Sequence, residues 1–223
     1  MRNFFTNRFK YLTYLIVIAG FNCSFAGSYE DFFQAIKRDD ATVVLQLLQR
    51  GFDANVPDPK GQSGLLIALR EPSIKVATVL VDWPKTDLNA FNPQGESPLM
   101  IASIKGHQDL AAKMITRGAD VNKTGWTPLH YAASTGQAKL IGLLLENHAY
   151  IDAESPNGST PLMLASMYGT GDAVKLLLDE GADPLLKNQQ GLTALQFAER
   201  GKRPDALELL SKAVRAKTAT GKW

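Results

Sequence analysis

Apolar residues in this chain recur in short helical bursts, separated by polar stretches punctuated with glycine. One pair of bursts runs from Leu129 to Leu145. Leu129, Ala132 and Ala133 fall on one face of a short segment, and Gly136 interrupts it. Leu140, Ile141, Leu144 and Leu145 then return as the apolar stripe of a second helix. The pair repeats along the chain. Alignment on Gly61, Gly95, Gly125, Gly158 and Gly191 gives spacings of 34, 30, 33 and 33 residues. Each glycine precedes a related phrase: QSGLLIA, ESPLMIA, WTPLHYA, STPLMLA or LTALQFA. A second phrase follows as LLQRGFDAN, MITRGADVN, LLENHAYID or LLDEGADPL, and WPKTDLN stands in its place between Trp83 and Asn89. Such self-similarity predicts a stack of units, none of which buries its apolar face alone.

Local chemistry supports two helices per unit. The Thr127 hydroxyl is placed to cap a helix, and Pro128 suits the first helical position, where a missing N–H costs nothing. Gly118 and Gly181 mark left-handed stops after the second helix. His148 takes that place in its own unit, and histidine is among the residues enriched there. Ser63-Gly64 and Thr193-Ala194 lack the proline, which predicts looser helix starts. The unit from Gly95 to Gly125 is three residues short between Asn122 and Gly125.

GWTPLHYAASTG raises the question of catalysis, because it places a hydroxyl, a histidine and a tyrosine close together. His130, however, occupies the repeat position held elsewhere by Leu66, Met100, Met163 and Gln196. A catalytic base does not belong to such a series, so His130 is read as part of the fold. No HExxH, GxSxG or phosphate loop occurs, and GTGDAV at Gly169 lacks the third glycine of a dinucleotide loop. The expectation is a non-enzyme with no cofactor and no metal.

The first 26 residues differ from the rest. Arg2, Arg8 and Lys10 precede an apolar run from Tyr11 to Phe21, and Ser24-Phe25-Ala26 follows. This is the pattern of a secretory signal peptide. The run of about 11 residues is shorter than the roughly 20 needed to span a bilayer. Removal of residues 1–26 shifts the net charge from +2 to −1 and takes away Cys23, the only cysteine. The positive charge thus argues for export, not for nucleic acid, and the remaining chain relies on packing without disulfides. A bacterial periplasm, or secretion, is the expected location, with no stable membrane insertion.

The 33-residue period and the Thr127-Pro128-Leu129-His130 phrase resemble the ankyrin repeat family. The resemblance covers roughly Ser28 to Ala213. It implies an all-α solenoid of about six helix-turn-helix units with β-hairpin or loop fingers. The units fall near 28–60, 61–94, 95–124, 125–157, 158–190 and 191–213, within a domain of 27–213 that leads to a basic tail of 214–223. It implies that His130 bonds Thr127, and that the concave face, lined by first helices and fingers, binds another protein. Variable positions on that face nominate Phe91, Glu96, Ile104, Lys105, Trp126, Ser134, Thr135, Met167 and Tyr168. The short finger predicts a notch beside Trp126, between the fingers at Phe91 and Glu154. The resemblance further implies a monomeric binding scaffold. Its roles include support of catalase or oxidative-stress defence, masking of a toxic effector as an immunity protein, and action as an effector secreted to a host.

Overall fold

The structure, a computed structural model, describes residues 27–219. The expected export segment, residues 1–26, lies outside the described residues. Among the described residues twelve helices follow one another in antiparallel pairs: α1 (27–37) with α2 (Ala41–Gln49), α3 (Gly64–Arg70) with α4 (Ile74–Asp82), and α5 (Pro98–Lys105) with α6 (Gln108–Thr116). Then come α7 (Pro128–Ser134) with α8 (Ala138–Glu146), α9 (Pro161–Tyr168) with α10 (Gly171–Asp179), and α11 (Ala194–Arg200) with α12 (Pro204–Ala219). The first helices stack as an inner row, α3 on α5 on α7 on α9 on α11. The second helices stack as an outer row from α2 to α12. One continuous apolar core runs between the rows. Ala68, Ala102, Ala132, Ala165 and Ala198 are fully buried in the inner row, where small side chains allow close approach.

The inner helices share one capping arrangement. The hydroxyls of Ser63, Ser97, Thr127 and Thr160 accept from the backbone N–H three residues on, at 3.3–3.4 Å. The side chain at that third position often returns the bond to the N-cap N–H. Met100 and Met163 do so through sulfur, His130 through Nδ1 at 3.2 Å, and Gln196 through its amide oxygen at 2.9 Å. The position therefore accommodates an acceptor in four units, while Leu66 fills it without one. That explains why methionine, histidine and glutamine interchange there.

His130 also reaches the next unit, since its Nε2–H donates to the Ser159 carbonyl at 3.0 Å, with Nδ1 left as the acceptor. The ring is fully buried. Burial holds its pKa down at about 4, against the partly offsetting bonds to Ser159 and Ala153.

The fingers are turns and not β-hairpins; among the described residues the sole β-bridge is Pro57 to Ser63. Four fingers close identically. Asp58, Asn92, Ser155 and Asn188 each donate their N–H to the carbonyl four residues on, and their side chains accept backbone N–H groups in the loop. A glycine with φ near +75° completes each turn. The side chains take up much of the loop backbone, and one backbone bond passes between fingers, from Gln189 N–H to Asn157 O at 3.0 Å.

Behind the fingers, an asparagine ladder joins consecutive units. Asn55 donates to Lys85 O and accepts from Asp87 N–H. Asn89 spans Gly118 O and Asp120 N–H, and Asn122 spans His148 O and Tyr150 N–H. The fourth rung is Asp152, which accepts from Asp183 N–H at 3.1 Å but has no N–H to donate. Burial raises its pKa, as does the nearby Asp183 charge, while the Asp183 N–H and Lys217 act the other way.

The last helix continues to Ala219, past the expected boundary at 213. Lys217 pairs with Asp183 at 2.7 Å, so this part of the basic tail is docked on the preceding unit, 158–190. Two glycines serve close approach without a positive φ. A Cβ at Gly169 would lie 2.4 Å from Ala133 O, and one at Gly201 would lie 2.6 Å from Met167 O. The inner helix ends thus meet the next turn more tightly than a side chain permits.

Two titrating groups generate predictions. The His130 ring titrates at about 4 when folded and 6.5 when free. Between those values the unfolded chain binds a proton that the folded chain refuses, so stability falls as pH drops through that window. The loss approaches about 3 kcal/mol. His130→Met keeps the capping acceptor found in the neighbouring units. It is expected to abolish that acid slope in urea melts from pH 7.5 to 4, while His130→Ala loses about 1–3 kcal/mol at neutral pH as well.

Asp152 has the opposite sign. Its raised folded pKa gives stability that is present at low pH and lost as pH rises through that value. Asp152→Asn supplies the missing donor to Gly181 O. It is expected to match the parent at low pH and exceed it by about 1 kcal/mol at pH 7 in the same melts.

Candidate functional site

The inner-row helices turn their fourth, seventh and eighth residues toward one face, together with the residue just before each cap. On α7 these are Tyr131, Ser134 and Thr135, with Trp126 ahead of Thr127. Here the face sinks into a cavity of about 270 Å³. Ile104 comes from α5; Trp126, His130, Tyr131 and Ser134 come from the α7 unit; Leu164 and Tyr168 come from α9. The wall is almost wholly apolar. Trp126 stands edge-on to the His130 ring, with centroids 5.4 Å apart, so a buried part of the fold forms the floor beneath an exposed indole. Trp126 is 37% exposed and Tyr168 60% exposed. Large rings left this open at the rim of an apolar hollow are typical binding anchors.

Tyr131 is fixed from behind. Its hydroxyl donates to Glu96, which also accepts from Asn92 and pairs with Arg70 at 2.8 Å. Arg70 in turn donates to Gln62. Burial, then the Glu96 charge, pushes the phenol up to about 12, so it remains a neutral donor. The network orients one wall of the cavity and neutralises the carboxylate beside it.

Four of the nominated residues, Ile104, Trp126, Ser134 and Tyr168, are brought together in this cavity. Glu96 supports it through Tyr131. Lys105 is exposed directly after Ile104, at the end of α5. Ser134 and Thr135 both donate their hydroxyls back to Tyr131 O, so neither offers a free donor. Met167 is half-buried and packs on the core. Phe91 is 50% exposed on its finger, away from the cavity. Tyr131 and Leu164 were missed as lining residues. Their signal was the fourth inner-helix position, shared with Ile67, Ile101 and Phe197.

The short finger differs from the expected open notch. The three missing residues remove the self-closing turn of the other fingers. Lys123 reaches back instead, donating to Gly95 O at 2.9 Å and lying 4.4 Å above the Phe91 ring. The Phe91 side is thereby filled, and the opening lies over the helix ends. No group of three or more metal-ligating side chains occurs among the described residues. No helix among them is long and apolar enough to cross a membrane.

The comparisons fit this geometry. A family model described as "Ankyrin repeats (3 copies)" matches residues 32–124, 80–155, 104–188 and 140–219. The chain is 34% identical over 123 residues to neurogenic locus notch homolog protein 2 of Homo sapiens, covering 54% of this chain and 5% of that protein. It is 38% identical over 78 residues to protein fem-1 homolog A-like of Mus musculus, covering 34% of this chain and 12% of the relative. The chain thus spans only a small part of the curated relatives it matches. Among solved structures, one similar chain comes from the complex of the Bd0816 predatory endopeptidase of Bdellovibrio bacteriovorus with immunity protein Bd3460. Its TM-score is 0.70 and its identity 29%, covering 82% of this chain and 97% of that one. The ankyrin repeat protein EF0377 is similar at TM-score 0.72 and 29% identity, covering 82% and 96%. Ankyrin repeat proteins are typically non-catalytic modules that bind proteins. With repeat matches from residue 32 to residue 219, this chain belongs to the ankyrin repeat family.

Proposed function

We propose that this chain is an exported binding scaffold that holds one partner protein on its inner-helix face and masks that partner's activity. The observation that carries the reading is the apolar cavity with Trp126 and Tyr168 open at its rim. Masking is favoured because the similar chain in the Bdellovibrio complex is an immunity protein bound to an endopeptidase. Support of a catalase-type defence enzyme uses the same face. The two readings part on whether the bound partner loses activity or keeps it. Export to the periplasm, or beyond the cell, rests on the cationic and apolar pattern of residues 1–26.

Two outcomes test this reading. Mass spectrometry of the protein recovered from its cell is expected to find Gly27 as the first residue; an intact chain in the membrane fraction contradicts export. In a pull-down from periplasmic extract, Trp126→Ala is expected to reduce partner recovery, with a loss of about 2 kcal/mol or more in affinity. It should unfold later than Leu144→Ala, which removes a fully buried side chain and costs ~2–5 kcal/mol. If Trp126→Ala melts as early as Leu144→Ala and its folded fraction still binds the partner, the anchor reading is wrong.

A further inference from the structure

The charges around the cavity are uneven. On the turn side, Lys105 directly follows the lining residue Ile104. On the far side, Arg200 and Lys202 flank Gly201, which is packed against Met167 O just before Tyr168. The side chains of Lys105, Arg200 and Lys202 form no ion pair or hydrogen bond among the described residues. The acidic groups nearby are otherwise engaged or placed elsewhere. Glu96 is neutralised by Arg70. Glu199 takes the inner-helix position of Leu69, Ser103, Ala133 and Ser166, all buried against a following unit, so it points to the end of the stack. The finger residues Glu154 and Lys187 are exposed and opposite in sign. Glu71 stands one unit before Lys105, away from the cavity.

We infer that the cavity takes one bulky apolar side chain from an acidic segment of the partner protein, with Lys105 on one side and Arg200 and Lys202 on the other meeting its carboxylates. This rests on the cavity being the partner anchor, and it adds the chemistry of what is anchored. Cations that lack an internal partner leave a positive field at the rim, and a segment carrying carboxylates on both sides of the apolar residue matches it. Attraction of that kind weakens with salt, whereas insertion of the apolar side chain does not.

The test uses the purified protein and fluorescein-labelled blocked pentapeptides, read by anisotropy. One peptide carries phenylalanine between two pairs of glutamates. The second replaces the glutamates with lysines, and the third replaces the phenylalanine with alanine. The glutamate–phenylalanine peptide is expected to bind at least about tenfold more tightly than either control, and to weaken as salt rises. Trp126→Ala and, independently, the more exposed Tyr168→Ala are expected to weaken it about tenfold. Lys105→Glu combined with Arg200→Glu is expected to reverse the preference toward the lysine peptide. Equal binding of the acidic and basic peptides overturns the inference, as does the absence of saturable binding by any of them or of reversal in the double variant. A partner still captured in the pull-down through Trp126 would then leave the scaffold reading standing, with a partner segment of different chemistry.

Discussion

Contact between successive inner helices is the constraint on which the rest depends. A unit of two short helices has one apolar face and no second layer of its own to cover it. Burial comes only when Ala132 and Ala133 of one unit meet the next, as Ala165 and Ala198 do further along. Stability is therefore shared between neighbours, and each helix start must hold its register for the next unit to dock. The caps serve this purpose. A hydroxyl and a returning acceptor fix the first turn from both directions, and the same turn sets where the residue before the cap emerges. Trp126 is placed on the inner-helix face by the bond that holds Thr127.

The site and the scaffold consequently share atoms. His130 closes the cap of α7, ties that unit to Ser159 and forms the floor under the Trp126 ring. Glu96 sits on the groove, yet its work is internal: it joins Arg70 to Tyr131 across three units. What remains open at the cavity is the Trp126 indole and the Tyr168 ring.

Much of this was legible in the sequence because the repeat compares each residue with its counterparts. The series Leu66, Met100, His130, Met163 and Gln196 marks His130 as a residue of the fold. What four members of the series share, an acceptor facing a backbone N–H, needed geometry, since sulfur, imidazole and amide look unrelated as letters, and Leu66 fills the place without one. The cavity was half legible. Trp126, Ile104 and Tyr168 stood out as apolar residues at surface positions. Tyr131 and Leu164 did not, because their position is apolar in every unit and reads as core. Lys123 carries no signal in the repeat pattern. Its reach to Phe91 follows from a missing turn, and a deletion does not say which neighbour will fill the gap. The continuation of α12 to Ala219 was masked by the charge of Lys212, Arg215 and Lys217. A basic run reads as a solvated tail until Asp183 is found opposite one of its members.

The tight seats at Gly169 and Gly201 have a geometric consequence for the groove. Each allows the turn after an inner helix to settle against the carbonyl of the preceding inner helix, nearer than a methyl group would fit. Spacing along the inner row is therefore shorter there than side-chain packing alone would set. Gly169 directly follows Tyr168 and seats against Ala133 O of α7, so the separation of α7 and α9 at the mouth depends on it. A single added carbon at Gly169 would act as a shim between α7 and α9, spreading the rim without touching any residue that lines it.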